Sequence, residues 1–497
     1  MTLLLHPGYL IPGGGDDAAR EGWSVVVEGD AIAGLGPLEA MRAAHPGAEE
    51  HALPGCVLIP GLVNAHQHGR GLTQLQLGYP DLILEAWQTL KRRRGWLDPA
   101  ALVPLAAMQM LSSGVTATIH ANTAWGRANQ PDDLARTIAA YDASGLRVMV
   151  GVGAQDRGGL VFPAERQAAF LASLPEDLRA LVVEPDPPVY ATSVDDAVAQ
   201  FDSLADVLGA HHRITLAFAP AGPQWVSDGL FRGVAEAASA RGAPIHMHAL
   251  ESVAQAAASR TLYPEGTLAR LRSLGVLGPH CSLAHAAQLG ARDIVVAAET
   301  GTILVRNPAS NIRLGCGLAP LARYLEAGIT VAVGTDCQTM DDDEDLWKEL
   351  RLAGRLAAEP RWHAAPRPDS SALFAMATIN GATAMALGHR IGRIAEGYAA
   401  DLVAVDLARI TGAYADPVVS VLELVLGRAD ARDVRMTMVG GRVLYENGRF
   451  PHLDPEAVAA AASEAARRSR SACTPDREAA VVRLVAQVRT YYEAFVD

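Results

Sequence analysis

Between residues 57 and 336, short apolar runs alternate with segments whose apolar residues recur at helical spacing. Runs of this length and composition are typical of buried strands. The eight runs are VLIPGLVNAH (57–66), GVTATIH (114–120), RVMVGV (147–152), RITLAFAP (213–220), APIHMHA (243–249), CSLAH (281–285), GTILVRN (301–307) and ITVAVGTD (329–336). Segments such as FRGVAEAASARG (231–242) lie between them with helical periodicity. This alternation predicts an α/β fold, a closed parallel (β/α)8 TIM barrel, over residues 61–390.

The two ends of the chain show a different pattern, in which short strands are joined by turns. GWSVVVEGDAIAGLG (22–36) indicates a strand, a Gly-Asp turn and a second strand. Short strands return in IGRIAEGYAADLVAVDL (391–407) and VRMTMVGGRVLYENGR (434–449). We expect residues 1–60 and 391–452 to pair into one small β-sandwich domain beside the barrel.

The last segment, residues 453–497, is predicted to be a helical extension. Asp454 followed by Pro455 is typical of a helix start. The final helix carries an apolar stripe at helical spacing, which predicts a buried core face or an oligomer contact. The stripe consists of Val481, Leu484, Val485, Val488, Tyr492 and Phe495.

Composition narrows the class of protein. The chain has 497 residues, a net charge of −13 and no block rich in Lys and Arg, which argues against a nucleic-acid partner. The N-terminal segment has no basic region before a long apolar run, and no run of 18 apolar residues follows, so we expect neither a signal peptide nor a membrane span. The 5 cysteines are scattered and odd in number, which is typical of reduced thiols in a cytoplasmic protein.

Polar residues end or directly follow several of the apolar runs, and in such barrels the carboxyl ends of the strands carry the chemistry. They are His68, His120, His248, His285 and Asp336. On a strand, His66 and His68 face the same side, as do His246 and His248. A single strand histidine is usually a core residue, but two such pairs favour a metal site, since imidazole suits zinc and iron.

Two nearby acids strengthen this interpretation. Glu251 follows His248 by three residues, and Asp336 ends the eighth run. Taken alone, Glu251 is typical of a helix start and Asp336 of a turn or helix cap. Together, one rim of the barrel would gather three His and one Asp as ligands, with a further Glu and His in reach.

The order of these motifs resembles the amidohydrolase superfamily, in its branch of cytosine/adenosine-type deaminases and triazine hydrolases. The segments that carry the resemblance span roughly residues 50–450: PGLVNAHQH, IHMHALES, SLAHAAQL, NPASNIRLGCGLAPLARYLEAGITVAVGTD and IGRIAEGYAADLVAVDL. The resemblance implies one divalent metal, Zn²⁺ or Fe²⁺, and two catalytic partners. The implied ligands are His66, His68, His248 and Asp336, and the implied catalytic partners are Glu251 and His285. It also implies a homodimer or higher homo-oligomer.

The chemistry of such a site is hydrolytic. A bound Zn²⁺ lowers the pKa of its water to ~7, which makes hydroxide available at neutral pH. Asp336 would take the water's proton, Glu251 would carry a proton to a ring nitrogen and the leaving amine, and His285 would orient the nucleophile or polarise the attacked carbon.

We therefore predict deamination of an amino-substituted N-heterocycle of pyrimidine, purine, pterin or triazine type. Three alternatives stay open. The first is release of an N-alkylamine or chloride from a triazine-like ring, and the second is cyclic amide hydrolysis. The third, a non-catalytic metal-binding barrel, is disfavoured by the presence of Glu251 and His285.

The lysine count bears on the number of metals. Some relatives hold two metals bridged by a carboxylated lysine at a strand end. The only two lysines, Lys91 and Lys348, both lie in segments of helical character, so we predict a single metal ion.

Substrate contacts are predicted from departures from the family pattern. Nucleoside deaminases of this branch usually carry a His and a Tyr after the fourth run, where this chain has Gly222, Gln224 and Trp225. This departure argues against a nucleoside substrate and favours a triazine-like one. The acids at 341–345 are either a helix N-terminus or place Asp341 or Asp342 in the site to bind an amino or guanidino group.

Further candidates for the pocket are Gln74 and Trp87. His120 is either a substrate contact or a support, and His246 is predicted to lie behind the ligands. The predicted partner is a small heterocyclic molecule.

Overall fold

The computed structural model describes residues 2–496 except 122, 124, 127–128, 184–188, 338 and 359–367. Its sixteen strands are β1 Thr2–Leu10, β2 Arg20–Glu21, β3 Trp23–Glu28, β4 Ala31–Pro37, β5 Glu49–Pro60, β6 Leu62–Gln67, β7 Val115–His120, β8 Arg147–Ala154, β9 Ile214–Pro220, β10 Ile245–Ala249, β11 Cys281–His285, β12 Ile303–Arg306, β13 Val331–Val333, β14 Leu402–Asp406, β15 Val434–Val439 and β16 Arg442–Glu446.

The described residues also form twenty α-helices and three short 3₁₀ helices. The α-helices are α1 Leu38–Ala44, α2 Leu84–Leu90, α3 Pro99–Ser112, α4 Gln130–Ser144, α5 Gln167–Ser173, α6 Glu176–Val183, α7 Val194–Leu208, α8 Asp228–Arg241, α9 Val253–Leu262, α10 Thr267–Ser273, α11 Ala291–Thr300, α12 Pro308–Arg313, α13 Leu321–Glu326, α14 Leu346–Leu356, α15 Ser370–Met376, α16 Ile379–Ala384, α17 Leu407–Thr411, α18 Val421–Arg428, α19 Pro455–Ser471 and α20 Pro475–Val496. The 3₁₀ helices are Lys91–Arg93, Ala164–Arg166 and Ala431–Asp433.

The strands β6 to β13 form one parallel sheet in chain order, and this sheet closes into a barrel. A bridge between Gln67 and Asp336 joins its two edges, and the amide of Asp336 donates to the carbonyl of His66 at 2.9 Å. Each of the eight apolar runs contributes one barrel strand, which confirms the predicted (β/α)8 class. The closure also brings the histidines of the first strand next to the acid that follows the last one.

The first apolar run is divided between two sheets. Residues up to Pro60 belong to β5, outside the barrel, and the barrel strand β6 starts at Leu62. Gly61 stands between them, where a Cβ would lie 2.0 Å from the hydroxyl oxygen of Thr116. Only a residue without a side chain fits this crossing point.

The two ends of the chain meet in a second, eight-stranded sheet. Its order is β16-β15-β14-β5-β1-β3-β4, with β2 paired to β1. The predicted hairpins β3–β4 and β15–β16 are present, and the sheet has its own apolar core, which includes Leu5, Val25 and Met438. The exact boundaries of this unit at 60, 390 and 452 stay predictions.

A buried ion pair connects this sheet to the barrel. The guanidinium of Arg147, at the start of β8, donates to both carboxylate oxygens of Asp401 at 2.8 and 2.9 Å, and both side chains are almost completely buried. A bidentate pair of this kind holds its two partners in one geometry.

The C-terminal extension packs on the barrel. Asp454 accepts hydrogen bonds from the amides of Glu456 and Ala457 and caps α19 as predicted. The apolar stripe of α20 is largely buried within the chain, and Leu484 and Tyr492 pack in a cluster with Phe162. The stripe is therefore part of the core. α20 also packs along α2, which forms one wall of the cavity described below. Among the described helices, none has the length and apolar character needed to cross a membrane.

Candidate active site

A cavity of about 340 Å³ opens at the carboxyl ends of the barrel strands. Most predicted metal and catalytic residues line it, together with residues from α2 and from the loops after β6, β7 and β9. Its lining includes His68, His248, Glu251, His285, Asp336, Trp87, Trp225, Arg70, Lys91, Thr123, Gln155 and Tyr190.

The four predicted ligands converge at the floor of this cavity. The Nε2 atoms of His66 and His68 lie 3.6 and 3.1 Å from Oδ1 of Asp336. The ring of His248 lies 4.9 Å from that of His66, centroid to centroid. Donor atoms of His66, His68 and Asp336 form one group within 4.8 Å of one another, and those of His66, His248 and His285 form another.

Neighbouring polar groups orient the ligands. His246 lies behind His66, as predicted, with its Nε2 2.8 Å from Nδ1 of His66 and its Nδ1 2.7 Å from the hydroxyl of Ser282. These two hydrogen bonds orient Nε2 of His66 towards the cavity. The hydroxyl of Ser310 donates to Oδ2 of Asp336 at 2.5 Å, which leaves Oδ1 facing the histidines.

The donor atoms fit a cation. Nε2 of His66 and Oδ1 of Asp336 are buried and have no hydrogen-bond partner in the structure. Buried polar atoms without a partner are costly, and a bound metal ion would satisfy both. Two histidine nitrogens and a carboxylate oxygen at this spacing form the type of donor set that zinc and iron bind.

Burial also sets the charge of this cluster. It lowers the pKa of His66 to about 3, so the imidazole is neutral, which is the form that binds metals. Burial alone would raise the pKa of Asp336, but the imidazoles of His66 and His68 hold it well below its usual value, and the carboxylate is ionised.

Glu251 and His285 lie beside the cluster as a pair. Oε1 of Glu251 is 3.6 Å from Nδ1 of His285, which in turn is 2.8 Å from Oδ1 of Asn311. Burial raises the pKa of Glu251 to about 7, so this carboxyl is able to hold and release a proton at neutral pH. His285 and Asp336 have φ of 68° and 55°, a strained conformation that is concentrated at functional sites.

The predicted substrate residues are divided by the structure. Trp87 and Trp225 line the cavity. Gln74, His120 and Gln224 are buried but are not part of its lining. His120 instead lies with Nδ1 3.1 Å from the hydroxyl of Tyr141, which favours its interpretation as a support.

The acidic segment 341–345 does not line the main cavity either. Asp341 and Asp343 form ion pairs with Lys348 at 2.8 and 2.6 Å, and Asp342 pairs with Arg313 at 2.7 Å. Asp345 accepts from the amide of Trp347 and caps α14. These contacts favour the helix N-terminus over the substrate-binding interpretation of Asp341 and Asp342.

Three cations that the sequence pattern did not assign to the site line the cavity: Arg70, Lys91 and Arg92. Arg70 directly follows the His66–His68 motif, and Lys91 begins the 3₁₀ helix after α2. The ammonium of Lys91 lies 4.4 Å from the centre of the Trp87 ring, and burial, with repulsion from Arg70, lowers the pKa of Lys91 to about 8. The sequence signal that could have assigned Arg70 to the site is its position two residues after His68. Lys91 was recognised as helical, but not as facing the site.

The chain is similar to known enzymes over most of its length. The model of the Amidohydrolase family matches residues 57–444. A 5-methylthioadenosine/S-adenosylhomocysteine deaminase from Haloquadratum walsbyi is 31% identical over 413 residues, with 81% of this chain and 82% of the relative covered.

Two solved structures share the fold. An adenosine deaminase from Xanthomonas campestris with bound zinc has a TM-score of 0.79 and 28% identity, and 94% of this chain and 98% of that one are covered. An atrazine chlorohydrolase from Arthrobacter aurescens TC1 with zinc has a TM-score of 0.76 and 23% identity, with 93% and 100% covered. The extent of the family match, with the fold and the arrangement of the site, shows that the chain belongs to the amidohydrolase family.

Proposed function

We propose that this protein is a metal-dependent hydrolase that deaminates an amino-substituted N-heterocycle. The observation that carries this proposal is the position of Glu251, a buried carboxyl with a pKa of about 7, in the same cavity as the His and Asp cluster. A structural metal site needs no proton carrier beside it, whereas hydrolysis of a ring C–N bond needs one.

His66, His68, His248 and Asp336 would hold one divalent ion, and we propose zinc as the native metal. The zinc-bound solved relative supports this choice. Such an ion supplies a water of pKa ~7 and a Lewis acid at the floor of the cavity.

The protein's own groups then move the protons. Asp336, whose carboxylate is ionised, accepts the proton of the attacking water. Glu251 delivers a proton to the ring nitrogen next to the attacked carbon and then takes up the hydroxyl proton of the tetrahedral intermediate as the carbonyl forms. It passes this second proton to the departing amine, and the proton held by Asp336 returns Glu251 to its acid form. His285, whose Nδ1 faces the amide oxygen of Asn311, is placed to orient the attacking water through its other ring nitrogen. The products are ammonia and a ring carbonyl.

The substrate class rests on two opposing observations. The relatives are named as adenosine-type deaminases, which supports a purine ring. Against a nucleoside stands Gly222, at the position where the sequence pattern of such enzymes has His. Gln224 and Trp225 follow it, and Trp225 lines the cavity. This second observation keeps a triazine-like ring that loses an N-alkylamine or chloride as the alternative substrate.

An ammonia-release screen of the zinc-loaded protein tests the proposal. Aminated pyrimidines, purines, pterins and triazines form the panel, and chloride and alkylamine release are followed in parallel for the triazines. We expect ammonia from at least one class. Silence in all four would contradict deamination, and chloride or alkylamine release without ammonia would select the alternative.

The proposed setting is a cytoplasmic homo-oligomer acting on a small molecule. Size-exclusion chromatography with light scattering would test the oligomeric part, and a mass equal to one chain would contradict it.

A further inference from the structure

The cavity of this acidic protein is lined by cations. The chain has a net charge of −13, yet Arg70 and Lys91 both face the space above the His and Asp cluster. Neither residue is needed for the proton transfers proposed above. Their presence therefore needs a separate physical reason.

In the described part of the chain, neither cation is neutralised by a carboxylate. Among the residues that the structure describes, no carboxylate forms an ion pair with Arg70 or Lys91, and Nε of Arg70 is buried without a hydrogen-bond partner. Both instead lie against indole rings, at 4.4 Å between Lys91 and Trp87 and at 5.7 Å between Arg70 and Trp125. Such cation–π contacts hold a cation in place but leave its charge available.

The acidic side chains near Arg70 and Lys91 already interact with other residues. Within the cavity, Asp336 faces the imidazoles and Ser310, and Glu251 pairs with His285. On its other side Arg70 borders a small space of about 10 Å³ that several acids also line. Those acids already have partners, which are Arg313 for Asp342, Lys348 for Asp343 and Thr335 for Glu344.

Two partly buried cations close enough to repel each other are unfavourable unless a ligand offsets the repulsion. We propose that the substrate carries an anionic group, a carboxylate or a phosphate, which Arg70 and Lys91 bind while the ring lies over the His and Asp cluster. The planar guanidinium of Arg70 suits two oxygens of one anion, and the ammonium of Lys91 adds a point charge. This inference rests on the proposed function and narrows its substrate class.

Binding of simple planar probes tests the inference without any turnover. Benzoate and benzamide have the same shape and differ in charge, and phenyl phosphate provides the second anion. Calorimetric titration of the zinc-loaded protein should show at least one of the two anions binding about 10-fold or more tightly than benzamide, the size expected for a hydrogen bond to a charged group.

Variants then assign the preference to the two residues. Arg70→Gln and Lys91→Gln should each reduce anion affinity about 10-fold and leave benzamide affinity unchanged, whereas Lys91→Arg should keep most of it. Arg232→Gln, which removes a charge from an exposed position of α8, is the matched control and should behave as wild type. Metal content and melting temperature are compared for every variant, and Lys91→Gln stays informative if Arg70→Gln disturbs the nearby ligand His68.

Three results would overturn the inference. They are equal affinity for benzamide and both anions, absence of anion binding at millimolar concentrations, and anion binding that persists unchanged in both Gln variants, which would place the anion on the metal. A phosphate preference and a carboxylate preference both support it and identify which anion is used.

The kinetic test is separate from the binding test. For an active ring, the carboxylated substrate should have a lower KM than its carboxamide, and Lys91→Gln should raise the KM while kcat changes less than about 2-fold. Anion preference without ammonia release would keep the inference and contradict deamination. Ammonia release without anion preference would support deamination and contradict the inference.

Discussion

Two charged regions lie next to the candidate active site, and they differ in whether other side chains compensate their charges. The acidic segment 341–345 is a run of five acids, but three of them pair with Lys348 or Arg313. Of the other two, Glu344 accepts a hydrogen bond from Thr335, and Asp345 is buried. Arg70 and Lys91 line the cavity itself, and no carboxylate of the described residues pairs with either of them. Charge that the fold leaves uncompensated is therefore a better indicator of a binding function than charge density.

Metal removal should have the largest effect, because the proposed ion supplies both the activated water and the Lewis acid for hydrolysis. Chelation should abolish turnover, and one equivalent of Zn²⁺ per chain should restore it, since the proposed ligands His66, His68, His248 and Asp336 would hold a single ion. Elemental analysis by mass spectrometry beside the activity assay checks this. Two ions per chain, both required, would contradict the single-metal prediction and would direct attention to Lys91 as a carboxylated bridge.

Loss of Lys348 should affect stability and leave chemistry intact. Lys348→Met leaves Asp341 and Asp343 as neighbouring carboxylates without their shared cation. Because the ammonium is partly exposed, we expect a loss of about 1 kcal/mol in the free energy of unfolding. Urea-induced unfolding measures this effect. A kcat lowered 10-fold or more in a variant of normal metal content would show that segment 341–345 contributes to the active site.

Glu344, a partly buried acid of the segment, should affect the pH dependence of stability. Burial raises the pKa of Glu344 to about 8. The unfolded chain releases this proton near the ordinary value of 4.5, so the stability that the neutral carboxyl contributes is present at low pH and is lost as the pH rises through about 8. Glu344→Gln should therefore flatten the decline of the melting temperature between pH 5 and pH 8, roughly the interval between these two values. An unchanged slope would show that Glu344 is ionised in the folded protein.

The smallest effect is expected at Asp341. Its side chain is exposed and its partner Lys348 retains Asp343, so Asp341→Asn should change the free energy of unfolding by no more than about 0.5 kcal/mol. The KM for an active substrate should also stay within about 2-fold, and steady-state kinetics checks this. A clear rise in KM would restore the interpretation of Asp341 as a substrate contact.

The barrel and the shared face of its first histidine pair were predictable because both depend on local pattern. Strands that are buried on both faces appear as continuous apolar runs, and the alternation of side chains places His66 and His68 on one face. The orientation of Lys91 depends on how α2 packs against α20, almost 400 residues later in the chain. The partners of Asp342 and Glu344, Arg313 and Thr335, are likewise set by tertiary contacts. The division of the first run at Gly61 depends on its approach to Thr116.

Glu251 is the group that we propose carries the proton for hydrolysis at a metal-containing site. The most direct test is the kcat of Glu251→Gln for an ammonia-releasing substrate, measured together with metal content. We predict one metal ion per chain, as in wild type, and a kcat lowered by about 10²- to 10⁴-fold. A variant that keeps its metal and turns over at the wild-type rate would show that Glu251 does not carry the proton.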